Sequence, residues 1–367
     1  TPSIASLHNV KTKGWQLFTL VNRYAGAFPE IKIVLLTQNK QRDNFWISKE
    51  LQLAIRDRLN KREQIIIFLN RRGYSFFVQC SSCSEIPRCT SCSVSLTLHE
   101  DNTLNCHYCG YSQIMPKSCP VCTSGDKKLI KKGIGTQQIV KILHTMFPQC
   151  RVGRIDMDIN QKKKIFKKTI TDFENGDLDI LVGTQTVTKG YHFPRVTLVG
   201  ILWADLNLHF PVYNASENTL QQLIQVSGRA GRSNKESLVI VQSMANHPIF
   251  TYLDEKKYSE FYFHEIASRN ELGYPPCNRL SEIELKNTDE LILEREAHYV
   301  ATIMSNFHDI GINILGPARP PVAKIKNVYI RKIYIKGHVT KDIISILHIL
   351  KTSNFSSTLI YTPNPLC

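Results

Sequence analysis

Four CxxC pairs crowd one segment of this chain: Cys80/Cys83, Cys89/Cys92, Cys106/Cys109 and Cys119/Cys122. Eight of the 11 cysteines fall there. Two residues between the sulfurs let one tight turn present two thiolates to a single tetrahedral ion, and two such turns close a four-thiolate zinc site. Eight ligands therefore make two sites.

The intervening chain bears on which pairs combine. Between Cys92 and Cys106, Val94, Leu96 and Leu98 alternate with Ser93, Ser95 and Thr97. Glu100-Asp101-Asn102 then supplies a turn, and Leu104 begins a return strand. A hairpin there brings Cys89/Cys92 against Cys106/Cys109 and leaves Cys80/Cys83 to meet Cys119/Cys122. This nested pairing is preferred to a sequential one. A disulfide framework is the other reading, disfavoured because the rest reads as a large intracellular domain with unpaired cysteines at Cys150, Cys277 and Cys367. A closed all-cysteine site leaves no coordination position for substrate, so the expected zinc builds a platform rather than doing chemistry.

At 367 residues the chain can hold two or three domains with proper cores. It contains no long uncharged apolar run suited to crossing a membrane and no signal peptide. It also has no initiating Met, and Thr1-Pro2-Ser3 reads as a start in the middle of something. A formal net charge of +15 favours a polyanionic partner. The Lys-rich run from Gln161 to Lys168 reads as a solvated helix face.

Outside the cysteines the pattern is α/β. A strand is predicted at Ile31–Leu36 and a helix from Ser48 to Leu59. Gln64 to Leu69 (QIIIFL) is a short apolar run suited to a strand buried on both faces of a parallel sheet. It ends in Asn70-Arg71-Arg72-Gly73-Tyr74, a polar turn placed where α/β proteins bind ligands. The cysteine segment follows at once, as an insertion after what reads as the first strand. Gly133-Ile134-Gly135-Thr136 leads into a helix from Ile139 to Phe147; such a turn can hold phosphate on backbone N–H groups, but Gln138 replaces the third glycine of a dinucleotide fingerprint. Further strands are expected at Arg151–Asp156, Asp179–Val182, Val196–Leu202 and Ser237–Gln242, alternating with helices as in a parallel sheet covered on both faces.

Between the last two strands, Gln225, Arg229 and Arg232 fall at i, i+4 and i+7, one face of a helix. Two arginines on one face repel unless an anion sits opposite them, and guanidinium forks suit phosphate oxygens. Gly228 and Gly231 remove side-chain bulk beside both.

These residues support a resemblance. QVSGRAGR (Gln225–Arg232) resembles motif VI of superfamily 2 helicases, and GTQTVTKGYHFP (Gly183–Pro194) resembles their motif V. FLNRRGY (Phe68–Tyr74), followed by the eight cysteines, resembles the PriA family of replication restart helicases. Thr1-Pro2-Ser3 is similar to the end of that family's motif III, and Arg154-Ile155-Asp156-Met157-Asp158 to a further family segment. The resemblance spans essentially the whole chain. It implies a 3′-to-5′ DNA helicase that recognises stalled forks and starts primosome assembly. It implies forked and single-stranded DNA, primosome proteins, single-stranded DNA-binding protein and the machinery loading the replicative helicase as partners. It implies a bacterial, nucleoid-associated cytoplasmic location.

By the same resemblance Arg229 and Arg232 are arginine fingers and Gln225 is a nucleotide-site contact. Thr184, Lys189 and Gly190 belong to the loop coupling DNA to ATP, with Gly190 also at the nucleotide. Arg71 and Thr136 lie at DNA-facing loops, and all eight cysteines are ligands of two zinc ions. The ending Thr362-Pro363-Asn364-Pro365 lacks the acids typical of the family, and Ile159-Asn160 replaces its usual threonines. The expected fold is a RecA-like helicase lobe with a parallel sheet (residues 46–79 and 126–250). Residues 1–45 read as a remnant of a first lobe with its connection, 80–125 as the inserted zinc module, 251–277 as a linker and 278–367 as a smaller α+β C-terminal domain.

No GxxxxGK[ST] occurs in these residues, and no DExx tetrad stands in a strand context. A phosphate-cradling loop, its lysine and a Mg2+-holding acid are needed to position ATP. The chain therefore reads as the second half of a motor, with ATP and Mg2+ requiring a first lobe and with no activity expected of these residues alone. A non-enzymatic remnant that keeps the zinc platform and basic surface for fork binding or primosome assembly is the alternative. A generic zinc-ribbon nucleic-acid protein fits the strand-motif-strand order less well.

Overall fold

The computed structural model describes residues 1–20, 28–37, 44–70, 77–80, 82–83, 85–98, 102–122, 129–132, 135–155, 163–188, 191, 193–210, 212–231, 236–307, 311–338 and 340–365. The chain divides into two compact units: Thr1–Tyr74 with Ile134–Glu265, and Ser75–Gly133 with Ile266–Cys367.

The first unit is built on a six-stranded sheet whose paired strands all run parallel. Its order is Glu30–Leu35, Leu238–Ser243, Val196–Leu202, Gln64–Leu69, Ile180–Gly183 and Val152–Ile155. The central runs Gln64–Leu69 and Val196–Leu202 form strands with the predicted bounds, and every residue in both is buried. Ile65, Ile66, Ile67 and Phe68 are fully buried, each contributing about 1.5–3 kcal/mol. Ile65, Ile67, Leu69, Ile180, Val182, Leu198 and Leu202 join a core closed by Leu51 and Ile55 of the helix Lys49–Asn60 and by Ile139 and Leu143 of the helix Thr136–Met146. Ser48 starts the first of these helices, its Oγ accepting the Leu51 N–H at 3.2 Å.

Two readings change. Residues 30–35, set apart from the lobe by sequence, supply its edge strand, pairing in parallel with Leu238–Ser243. The cysteine segment consequently follows the second strand of the sheet in chain order. Residues 251–277, read as a linker, contain the 14-residue helix Tyr258–Glu271, with Tyr258, Phe261 and Tyr262 buried. A stretch with so many aromatic anchors packs rather than hangs free.

The second unit joins the cysteine segment to an antiparallel α+β domain. The latter's strands lie in the order Asn313–Ala318, Val328–Gly337, Arg279–Asn287 and Thr358–Pro363. Ile283, Leu285, Ile333 and Ile335 pack with Leu293, Ala297, Val300 and Met304 of the helix Glu290–Ser305 and with Ile343, Ile346 and Leu350 of the helix Thr340–Thr352. Asp289 caps the former helix, accepting the N–H of Leu291 at 2.8 Å and of Ile292 at 3.1 Å. Among the described residues, no helix is long and apolar enough to cross a membrane.

Candidate functional site

The cysteine segment rises from a two-stranded stem, Phe77–Cys80 antiparallel to Leu129–Lys132, with Cys80 opposite Leu129. Above it, Thr97–Leu98, Thr103–Asn105 and Ser112–Ile114 form a small antiparallel sheet. The two CxxC turns held by this sheet close by backbone bonds from Cys89 N to Val94 O at 2.9 Å and from Cys106 N to Tyr111 O at 2.8 Å. Gly110 takes the left-handed conformation (φ 80°) that the second turn needs.

The sulfurs form two groups. Cys80, Cys83, Cys119 and Cys122 make an outer set and Cys89, Cys92, Cys106 and Cys109 an inner one, the Sγ atoms of each set lying within 4.8 Å of one another. The Cys80–Cys122 and Cys89–Cys109 Sγ pairs stand 3.5 Å apart, and Cys83–Cys119 3.7 Å. A tetrahedron with Zn–S bonds of about 2.3 Å has edges of about 3.8 Å, so both sets fit the ion. Three inner cysteines are buried, whereas Cys83 of the outer set is exposed. Backbone N–H groups of Cys83 and Ser82 pull the Cys80 thiol down to about 6. The N–H of Tyr111 draws Cys109 down to about 7. Hydrogen bonding with Cys83 and Cys80 pushes Cys122 up to about 12, and burial does the same to Cys89. Four crowded sulfurs cannot all ionise unaided, and a dication is what would let them.

In the first unit, the polar residues collect at the carboxyl ends of the strands. Asn70, fully buried, donates through Nδ2 to the Ala204 carbonyl at 2.7 Å, and its Oδ1 accepts Asn207 Nδ2 at 2.9 Å. The Asp205 carboxylate accepts the N–H groups of Met244 and Ala245 at 3.0–3.2 Å, tying the ends of two strands together. Thr184 lies half-buried after the strand Ile180–Gly183 and leads into the 3-10 turn Gln185–Thr188, with Val187 N bonded to Thr184 O at 3.0 Å. A Cβ on Gly183 would stand 2.1 Å from Val187 Cγ2 and 2.9 Å from the Ile155 carbonyl, so only glycine lets this turn close onto its neighbour.

The helix bearing Gln225 runs from Ala215 to Ser227 and stops at Gly228. The α-helical face expected to carry Gln225 and Arg229 therefore ends before Arg229, and Arg232 lies outside the described residues. Gly228 ends the α-helix, and Arg229 and Ala230 follow in turns bonded to Val226 O and Ser227 O at 3.0 and 3.2 Å. Gln225 is exposed on the helix. Arg229, half-buried, turns its Nη1 back to the Tyr191 carbonyl at 2.5 Å, so the motif VI turn grips the motif V segment. Thr136 is the first residue of its helix and only 6% exposed, which leaves its side chain little surface for a ligand. Arg71, Lys189, Gly190 and Arg232 lie outside the described residues.

Sequence reasoning passed over Asn207, Asp205, Glu217 and Gln221. The last two hold the start of the chain: Glu217 Oε1 accepts the Ile4 N–H at 2.9 Å, and Gln221 Nε2 donates to the Pro2 carbonyl at 3.1 Å. Both lie in the helix that carries Gln225, Gln221 four and Glu217 eight residues before it, and that spacing was the available signal.

A parallel α/β lobe together with paired four-cysteine clusters defines the class as a helicase-type lobe accompanied by a cysteine-rich, zinc-ribbon-like segment. The Helicase conserved C-terminal domain matches residues 122–234, and the PriA DNA helicase Cys-rich region (CRR) domain matches residues 89–113. Replication restart protein PriA of Bacillus subtilis is 36% identical over 92% of this chain and 42% of its own length. Its counterpart in Rickettsia typhi is 36% identical over 91% of this chain and 52% of its own length, and that of Haemophilus influenzae 33% identical over 90% and 45%. The chain belongs to the PriA family, matching its C-terminal portion. It spans about half the length of the curated relatives it matches.

Proposed function

We propose that this chain supplies the second motor lobe, zinc platform and C-terminal domain of an ATP-dependent 3′-to-5′ DNA helicase that recognises stalled forks and begins primosome assembly. The observation that carries the reading is the Arg229–Tyr191 contact, which couples the arginine of motif VI to the segment of motif V. In a working motor, Arg229 and Arg232 reach the γ-phosphate while Gln225 contacts the nucleotide. Thr184, Lys189 and Gly190 pass the state of that phosphate to the DNA. ATP and Mg2+ bind only with a first lobe that brings the phosphate-cradling loop; these residues alone hydrolyse no ATP. Arg71 and the exposed lysines Lys164, Lys167 and Lys168 supply positive charge toward DNA phosphates.

Each four-cysteine set holds one zinc ion through its thiolates, and the ion supplies structure rather than reaction chemistry. The platform so built, with the C-terminal domain, receives single-stranded DNA-binding protein, primosome proteins and the loader of the replicative helicase. The site of action is the nucleoid within the bacterial cytoplasm.

The test joins this chain to its own first lobe and measures unwinding of forks with a 3′ or a 5′ single-stranded tail. ATP-dependent opening of the 3′-tailed fork supports the reading. Fork binding without ATP hydrolysis would replace the motor by the non-enzymatic remnant.

A further inference from the structure

The inner four-cysteine set has a wall that does not come from the cysteine segment. Strands Lys324–Ile325 and Val328–Gly337 of the α+β domain form a tight hairpin, Lys324 facing Tyr329 and Ile325 facing Val328. Its two turn residues, Lys326 and Asn327, both take positive φ (50° and 63°), the geometry of a two-residue hairpin turn that matches strand twist. This turn lies on the first inner CxxC. Lys326 N–H donates to Cys92 Sγ at 3.3 Å, and Asn327 N–H to the Ser91 carbonyl at 2.8 Å. Ser93 N–H donates to Lys324 O at 3.0 Å, while Ser93 Oγ accepts the Lys324 N–H at 2.9 Å. Ile325 packs against the apolar cluster that includes Cys89, Cys92 and Cys106. Four polar bonds and one apolar plug thus tie segments more than two hundred residues apart in sequence.

Non-glycine residues at positive φ are held there by their surroundings, at a cost, and here two stand in succession. What they achieve is to aim two consecutive N–H groups at the knuckle. An N–H donated to a metal-bound thiolate takes up part of its charge and fixes the orientation of the ligand.

We propose that Lys326 and Asn327 are positioning residues of the inner zinc site, clamping the Cys89/Cys92 knuckle so that metal occupancy there controls the docking of the C-terminal domain. The proposal rests on the zinc reading of the inner set. It makes the ion a fastener between two domains rather than a stabiliser of one, and it leaves the outer site independent.

The experiment uses the whole chain with its zinc content measured. Amide hydrogen exchange is followed at Lys326 and Asn327 in the loaded protein, in Cys106→Ser and in Cys83→Ser. Exchange at both amides is expected to rise at least tenfold in Cys106→Ser and to stay unchanged in Cys83→Ser. Conversely, Asn327→Pro, which removes one donor and cannot hold φ near 63°, should speed release of one zinc to a chelator about tenfold and leave the other alone. Asn327→Gly, which keeps the donor and the turn, should restore the slow rate. With cobalt in place of zinc, Asn327→Pro should shift the thiolate-to-metal absorption of one site only, a signature that general loosening of the domain would not produce. Two zinc ions per chain, with exchange in Cys106→Ser and release in Asn327→Pro both unaltered, overturns the clamp. A chain that binds no zinc at all overturns the zinc reading itself.

Discussion

Oε1 of Glu217 accepts the backbone N–H of Ile4 at 2.9 Å, joining residues 213 apart in sequence. Glu217 is 7% exposed, and Gln221 Nε2 donates to the same oxygen at 3.2 Å. Glu217→Ala leaves the Ile4 N–H buried without this acceptor, a loss of about 1–3 kcal/mol. Chemical denaturation of the chain should show it, and Glu217→Gln, which keeps an acceptor, should recover part.

Arg229→Ala, in the chain joined to its first lobe, should lower ATP turnover by about 10³-fold, the lower end of what an arginine at a transferring phosphate contributes. Zinc content and fork affinity should stay unchanged. Arg229→Lys should rescue little, since a point charge cannot replace the guanidinium fork. Unchanged turnover in Arg229→Ala would remove the motor assignment.

Gly183→Ala should destabilise the first unit by about 1–3 kcal/mol, because its methyl crowds Val187 Cγ2 and also meets the Ile155 carbonyl, a backbone atom that no rotamer moves. Thermal unfolding reads the shift directly.

The C-terminal domain should weaken in acid. Arg331, 1% exposed, bonds Glu290 at 2.8 Å and also reaches Glu294. Its hydrogen bond holds the Glu294 carboxyl below the ordinary 4.5. A depressed folded value means the stability is fully present above 4.5 and fades as pH falls through the lower folded value. Arg331→Met should reduce that acid-side slope in denaturant midpoints, with Arg319 still bonded to both carboxylates.

Stripping zinc should proceed in order. The outer set, with Cys83 exposed, should yield its ion first and the buried inner set later. The parallel sheet around Gln64–Leu69 should survive, as judged by its amide protection, since its core contains no cysteine of either set. DNA affinity should meanwhile fall about 10³-fold from 50 to 200 mM salt, as for six neutralised phosphates. A flat response would remove the argument from net charge.

The parts of the fold that were legible are those written locally. QIIIFL and VTLVGIL are continuous apolar runs, and only strands buried on both faces suit them. The alternation from Val94 to Leu98 similarly announced the strand Thr97–Leu98, which pairs antiparallel with Thr103–Asn105; Glu100 and Asp101 of the expected turn lie outside the described residues. The edge strand Glu30–Leu35 was weaker, because EIKIVL spends a lysine and a glutamate on its open side. Periodicity carried the helix past Ser227, since nothing in the spacing weighs Gly228 as a stop. The Asn70–Asn207 bond and the seat of Lys326 on Cys92 were invisible for a different reason: each joins distant segments, and no local pattern encodes the partner.

The two-stranded stem below the cysteines has a consequence for how such a segment can vary in length. Where Cys80 faces Leu129, the two ends of a long excursion are zipped side by side. The two ends of the excursion therefore stand no farther apart than paired strands, whatever grows beyond them. Loop-closure entropy rises only slowly with length, and here even that dependence is largely suppressed. A segment zipped in this way can lengthen or shorten beyond its stem while the separation of its two ends stays the same.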